Sequence, residues 1–426
     1  MVRPPPDLTY ATIAMHIGIE AQRLFRRRKH GMDIVALESV RALQGLDLPF
    51  DVSVFVRPGE DRCLESGGRV RIVEVPGASY PTWEQIALPR AVRRAGVDLL
   101  HCTANTAPLA PGVPTIVTLH DVIFLEPSSG PGASTYQRAG NLYRRFVCPI
   151  AARGSEVVTT VSRYERRQIV STLKPAPTRV EVIPNAVSER FTPGTPSHVL
   201  RSVAHRYGLP DRFFLFFGNT DPKKNVPRVI EAYVRASAAS ADLPKLVVAD
   251  LDSERLVALL REMNAPEALD RFVLPGYIAH ADLPAVYTLA DAFLYPSLRE
   301  SFGLPILEAM ACGVPVLTSD AAAMPEIAGN AALLVDPTDV SSIAGGLVRV
   351  SVDFALRGWL RDVGPHRAAG FKWNTTAQQL ANLYESVVQH SQTRAVSARS
   401  ARFVDKAGRL VEERHARAAA LGTIAA

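Results

Sequence analysis

Two glutamates, Glu300 and Glu308, stand seven residues apart in the run Pro-Ser-Leu-Arg-Glu-Ser-Phe-Gly-Leu-Pro-Ile-Leu-Glu-Ala-Met-Ala-Cys-Gly-Val-Pro-Val that follows Tyr295. A strand is expected to end near Pro296, and a loop then carries Glu300, Ser301, Phe302 and Gly303. A helix should open around Leu304, because Pro305 suits a first helical turn. The free backbone N–H groups there, together with the helix dipole, make a pocket for a diphosphate. Gly303 lets a phosphate approach the backbone with no Cβ in the way. Glu308, about one turn into the helix, is placed to accept two hydrogen bonds from a ribose diol. Glu300, ahead of the anion pocket, can reach a sugar on the distal phosphate. Alone, Glu308 reads more readily as a favourable first-turn acid and Glu300 as loop surface. Their joint spacing around Ser-Phe-Gly-Leu-Pro is what argues for chemistry.

A second cluster is Phe217-Gly218-Asn219-Thr220-Asp221-Pro222-Lys223-Lys224-Asn225. A strand ending at Gly218 delivers Lys223 and Lys224 beside the next helix, where an ammonium can offset charge on a leaving diphosphate. In the first half, Thr118-Leu119-His120-Asp121 ends another strand, so His120 is expected to face a cleft. Asp121 could orient that imidazole, bind an acceptor or cap a helix. Asp250-Leu251-Asp252 has the look of a metal site, but it precedes Ser253-Glu254, and helix capping explains it better. No metal or other cofactor is expected, since a cationic clamp makes one unnecessary. The four cysteines, Cys63, Cys102, Cys148 and Cys312, form no C-x-x-C pair, so neither zinc nor a disulfide framework is indicated and a reducing cytosol fits.

Short β-branched runs alternate with amphipathic stretches, the pattern of α/β units around parallel sheets. Strands are expected at Ala11–Gly18, Phe50–Val56, Val70–Val75, Asp98–His101, Thr115–Leu119 and Glu156–Val161. Helices fall between them, among them Met32–Leu46, Trp83–Ala95 and Ser134–Ala152. The turn-rich stretch Phe191 to Ser197 reads as a linker. A second series follows, with strands at Phe213–Gly218, Lys245–Ala249, Arg271–Pro275, Ala292–Tyr295, Val314–Thr318 and Ala332–Val335. These readings divide the chain into residues 1–190, 191–373, a helix over 374–390 and a basic tail over 391–426. Two similar halves around a hinge imply a cleft between them. The N-terminus opens no signal peptide, and no stretch is long and apolar enough to span a bilayer.

Of 426 residues, 47% are apolar and 21% charged, ordinary for a protein with sizeable cores. The net charge of +6 lies entirely in the first half, where residues 1–190 hold 24 Lys/Arg against 18 Asp/Glu. One run stands out: Arg23, Arg26, Arg27, Arg28, Lys29 and His30. It reads as a solvated surface or as a patch for anionic membrane headgroups or a phosphate-bearing acceptor. Nucleic acid is not an expected partner, because no nucleic-acid module accompanies the charge.

The segment around Glu300 and Glu308 resembles the E-x7-E element of the family 4 retaining glycosyltransferases, almost residue by residue. The likeness continues through Gly276-Tyr277-Ile278, Asp282-Leu283, Tyr287 and Ala290, and through Gly218 to Asn225, over about residues 10–390. The resemblance implies a GT-B architecture: two Rossmann-like α/β domains facing each other across a cleft, the donor held mainly by the second. It further implies that the base lies against the backbone at Ile278 and that Lys223 and Lys224 clamp the diphosphate with the amides of Phe302 and Gly303. Ser301 and Leu304 complete that pocket. His120 would lie near the transferred sugar, and Gly31 beside the donor phosphates. Asn219 departs from the arginine that many relatives carry there. Retention would follow from the leaving phosphate oxygen taking the acceptor's proton on the same face, with Glu300 orienting the sugar. The expected activity is hexosyl transfer, mannose or glucose favoured, from a nucleotide diphosphate sugar to a saccharide or lipid-linked acceptor in envelope or exopolysaccharide assembly.

Two rivals belong to other classes. A nicotinamide-dependent enzyme expects G-x-G-x-x-G after an early strand, and Gly130-Pro131-Gly132 has Thr135 where the third glycine belongs. A non-catalytic nucleotide-sugar-binding protein is disfavoured by the joint presence of both glutamates, both lysines and His120.

Overall fold

The computed structural model describes residues 15–27, 29–125, 135–219, 221–394 and 397. Seven strands form the first sheet: β1 His16–Glu20, β2 Asp51–Val56, β3 Val70–Glu74, β4 Leu99–Cys102, β5 Thr115–Thr118, β6 Val157–Thr160 and β7 Val180–Val182. Six form the second: β8 Phe213–Phe217, β9 Lys245–Ala249, β10 Phe272–Val273, β11 Ala292–Tyr295, β12 Val316–Ser319 and β13 Leu333–Val335. Their orders are β3-β2-β1-β4-β5-β6-β7 and β10-β9-β8-β11-β12-β13. Every paired strand runs parallel to its neighbours, as in the registers Ile17 with Val52 and Leu99, and Phe214 with Leu246 and Ala292. In each sheet the chain reverses its direction of travel once, between β1 and β4 and between β8 and β11. Crevices at the carboxyl ends of such strand pairs are where open α/β sheets bind ligands.

The strands are near-continuous apolar runs because helices cover both faces of each sheet. Phe213, Phe214, Leu215 and Phe216 of β8 are all buried, with alternate residues entering different cores. Sealing an aromatic or aliphatic side chain this way contributes about 1.5–3 kcal/mol each. A last helix, residues 373–394, leaves the second half and packs on the first. Its Ala377, Leu380, Tyr384 and Val388 join Ile17, Leu43, Phe50 and Val54 in one core.

Most expected elements occur within a residue or two of their places, with instructive exceptions. The first strand begins at His16 rather than Ala11, and residues 11–14 lie outside the described residues, as do Gly130 to Gly132. Strand β7 went unanticipated, because three residues give no alternation to read. The helix expected at Trp83–Ala95 starts one turn earlier, at Tyr80–Thr82, and is wound as a π-helix over Trp83–Ala87 before it continues as an α-helix over Leu88–Ala95. Pro89 has no N–H to donate, which favours a change of register just before it. The basic tail lies almost wholly outside the described residues beyond Arg394.

The basic run Arg23 to His30 is not one open patch. Arg23 turns inward onto Asp33 at 3.0 Å, and the Lys29 ammonium is almost fully covered and pairs with Asp61. Arg27 pairs with Glu60 at the surface, while Arg26 and His30 are exposed and Arg28 lies outside the described residues. The acids that neutralise the run lie beyond it in sequence, so reading the run alone overstates its charge.

Candidate active site

The loops after β8 and β11 meet at the switch point of the second sheet. Asp221 accepts a hydrogen bond from the Lys223 N–H at 3.1 Å and so starts a 3-10 turn, Pro222–Lys224. Asn225 follows in the left-handed region, φ 63°, and is buried. Its Nδ2 donates to the carbonyls of Pro296 and Pro337 at 3.0 and 2.7 Å, and the Leu298 N–H donates to the Lys223 carbonyl at 2.8 Å. These bonds lock one loop to the other and aim both lysines at Glu300.

Glu300 is buried between them. Lys224 Nζ donates to its Oε1 at 2.7 Å and to the Tyr295 hydroxyl at 3.0 Å, and sits 4.7 Å from the Tyr295 ring centroid. Lys223 Nζ approaches Oε2 at 3.9 Å. A charge-assisted pair of this kind, flanked by an aromatic face, is both strong and directional. Gly303 follows at φ 98° as the N-cap of helix Leu304–Ala311, a backbone state that penalises any side chain. A Cβ there would also meet Ile306 Cδ1 at 3.0 Å. Gly218 is required for packing: a Cβ on it would meet Val248 Cγ1 at 2.4 Å. Gly31 opens helix Gly31–Gln44 and faces open space, so nothing in the protein itself demands glycine there.

Glu308 lies on helix Leu304–Ala311, one turn in. The Tyr287 hydroxyl donates to its Oε2 at 3.0 Å, and burial pushes its carboxyl up to about 7, against the pull of that bond and of Arg190. Ile278 is buried and Tyr277 exposed, both just beyond Gly276. Asn219 folds its side chain back onto the Asp221 N–H at 3.1 Å, so it braces the loop in place of reaching outward. Asp252 caps helix Ser253–Glu262 through the Arg255 N–H at 2.7 Å.

The opposing wall comes from the carboxyl ends of β1, β4 and β5. His120 is buried; its N–H donates to Asn105 Oδ1 at 2.6 Å, and Nε2–H donates to the Thr103 carbonyl at 2.9 Å. Burial holds its pKa below the usual imidazole value, so the ring is neutral, and the bond to Thr103 leaves Nδ1 as its acceptor nitrogen. Asp121 accepts from the Ile123 N–H at 3.1 Å and caps the turn Ile123–Leu125, one of the roles open to it from sequence.

Sequence reasoning missed a group at the other switch point. Glu20 ends β1, and its carboxylate accepts from the N–H groups of Gln22 at 2.8 Å and Thr103 at 3.3 Å. Burial raises its pKa to about 7. Beside it Gln22, 4% exposed, has neither amide atom hydrogen-bonded, and a small recess is lined by both residues with Arg23, Asp33 and Thr103. Thr103 also lines a second recess with His120, His101 and Thr160. An acid closing a strand that reads Ile-Gly-Ile was the signal available.

The halves touch directly. Ser162 Oγ donates to the Ser301 carbonyl at 2.7 Å, and the Glu326 carboxylate accepts from the Arg163 and Tyr164 N–H groups at 2.8 and 3.0 Å. A carboxylate from the second half thus caps helix Arg163–Leu173 of the first.

Comparison with known proteins bears on this arrangement. Residues 30–191 match the family model described as Glycosyltransferase Family 4, and residues 204–355 match Glycosyl transferases group 1. The chain is 29% identical over 274 residues to O-antigen chain mannosyltransferase B of Escherichia coli, covering 63% of this chain and 70% of that protein. It is 28% identical over 400 residues to D-inositol 3-phosphate glycosyltransferase of Salinispora arenicola, covering 84% and 87%. Against the serotype-specific mannosyltransferase WbdA of Escherichia coli it is 29% identical over 245 residues, 56% of this chain but only 30% of that longer protein. Among solved structures, Anabaena HepE in complex with UDP and glucose superposes with a TM-score of 0.65 at 18% identity, covering 87% of this chain and all of that one. The two-sheet architecture is therefore the GT-B fold.

Proposed function

This chain belongs to the family 4, group 1 glycosyltransferases and is a hexosyltransferase, and from that premise we propose that it moves a mannosyl or glucosyl unit from a nucleotide diphosphate to a saccharide or lipid-linked acceptor, with retention. The observation that carries this reading is the grouping of Lys224, Lys223 and Glu300 beside the N-terminus of helix Leu304–Ala311. Two cations and a run of free backbone amides, including those of Phe302, Gly303 and Leu304, suit a diphosphate. Glu308 faces the ribose, Ser301 borders the phosphates, and the base rests near Ile278.

In the transfer, the bond from the anomeric carbon to the diphosphate oxygen breaks as the acceptor oxygen bonds the same face. The acceptor's proton passes to the departing phosphate oxygen, whose charge the lysines offset. Glu300 exchanges part of its contact with Lys224 for a sugar hydroxyl and so fixes the ring. Neutral His120 offers Nδ1 to another sugar hydroxyl. The recess of Glu20, Gln22 and Thr103 supplies polar groups for the acceptor on the opposite wall, with Asp121 nearby. Likeness to an O-antigen chain mannosyltransferase and to a serotype-specific mannosyltransferase favours GDP-mannose and an envelope polysaccharide.

A hydrolysis and transfer screen over GDP-mannose, UDP-glucose and related donors tests the proposal, with the product anomer assigned by NMR. Turnover of one donor with retained configuration is expected. Tight binding of a nucleotide sugar with neither hydrolysis nor transfer to any acceptor would identify a binding protein instead.

A further inference from the structure

Helix Thr135–Gly154 holds its place through Val147, Cys148, Ala151 and Ala152, which lie in the core beneath it. Its other side carries Leu142, Phe146 and Ile150, exposed by 70%, 65% and 41%. Spaced at four and four, they make one apolar stripe along the helix. Among the described residues, none of the core clusters includes them.

The charge on the two helices that form this face has one sign. Helix Leu88–Ala95 enters the same core through Leu88 and Val92, so it covers the same face of the sheet. Its Arg90, Arg93 and Arg94 are exposed. Together the two helices contain seven arginines and no Asp or Glu. Arg179 adds a further cation at one end, where its guanidinium donates to the Arg153 carbonyl. An apolar stripe set among arginines is the composition of a helix that lies in a membrane interface. Among the described residues no helix is long and apolar enough to cross a membrane.

We propose that this face docks on an anionic lipid surface. Two other occupants fit the charge poorly. A two-fold pair of this chain would set arginines against arginines. The chain's own residues 398–426 carry six Lys/Arg against three Asp/Glu, again the same sign. Phospholipid headgroups carry the charge opposite to that of the two helices, and the acyl boundary accepts Leu142 and Phe146. The inference is independent of which sugar is transferred, because it concerns where the enzyme resides.

Cosedimentation of the full chain with vesicles of phosphatidylcholine, alone or mixed with phosphatidylglycerol, is the test. Binding is expected to the anionic vesicles alone and to weaken in high salt. The double variant Leu142→Ser/Phe146→Ser should bind about tenfold less, whereas Arg26→Ser/Arg27→Ser should bind as the parent does. Phe146→Trp provides a readout that removes nothing: its emission should shift to the blue on anionic vesicles. Absence of vesicle binding, undiminished binding by the double variant, or unshifted Phe146→Trp emission would overturn the proposal. So would a dimer in sedimentation velocity that the double variant dissociates, which would assign the stripe to a second copy.

Discussion

Lys224 Nζ and Glu300 Oε1 lie 2.7 Å apart, although 75 residues separate them in the chain. The pair joins the loops that leave two neighbouring strands, β8 and β11, so any change at one position is felt by the other.

Lys224→Ala is accordingly expected to lower kcat by about 10²–10³-fold, the usual loss when one fixed donor to a developing anion is removed. Lys223→Ala should cost less, since Lys223 is more exposed and stands 3.9 Å from Glu300. Steady-state kinetics on the cognate donor checks the order of the two effects, and a reversed order would reassign the clamp.

Replacing Glu308 by Ala should weaken nucleotide diphosphate binding by about 1.5–3 kcal/mol, through loss of hydrogen bonds to the ribose. Because burial raises this carboxyl to about 7, the free enzyme holds it partly protonated at neutral pH. Accepting two hydroxyls requires the ionised form, so affinity should rise as pH increases through 7, with a proton released on binding. Calorimetry at several pH values measures this. Glu308→Gln should remove that part of the pH dependence, and an unchanged profile would argue against the ribose contact.

Glu20 makes a prediction about stability. Its folded pKa of about 7 exceeds its ordinary value of 4.5, so between those values the native state binds a proton that the unfolded chain does not. Its contribution therefore favours folding at low pH and is lost as pH rises from 4.5 through 7. Thermal melts of Glu20→Gln should show less decline over that window than the parent protein. The same variant should leave nucleotide binding intact, because Glu20 belongs to the opposite wall.

Transfer should survive a saturating chelator, given two lysines beside a helix N-terminus in the proposed donor site. Complete loss of turnover, restored by adding a divalent metal, would contradict the cationic-clamp mechanism.

How far sequence sufficed depends on whether partners were near each other in the chain. The helix start at Leu304 was legible because Gly303 and Pro305 act locally, and the same holds for Asp252 as a cap. The inward turn of Arg23 was not, since its partner Asp33 lies beyond a run of cations that resembles open surface. Gln22 was invisible for a related reason: a glutamine signals nothing until the fold buries it without a partner. Asn225 shows the intermediate case. In sequence it only closes the run Phe217 to Asn225, while its side chain bridges Pro296 and Pro337 from 71 and 112 residues away.

The return of helix 373–394 to the first sheet bears on how the chain is made. Tyr384 donates or accepts a hydrogen bond with His101 at 2.7 Å and packs edge-on against Phe50, deep within the core of the first half. During synthesis, that core must wait until the whole second half has left the ribosome. The lobe that begins first is therefore completed last, and until then Ile17, Leu43 and Phe50 lack their covering side chains. A nascent chain arrested before residue 373 would hold a finished second lobe joined to an unfinished first lobe, exposing apolar surface of the kind that chaperones bind.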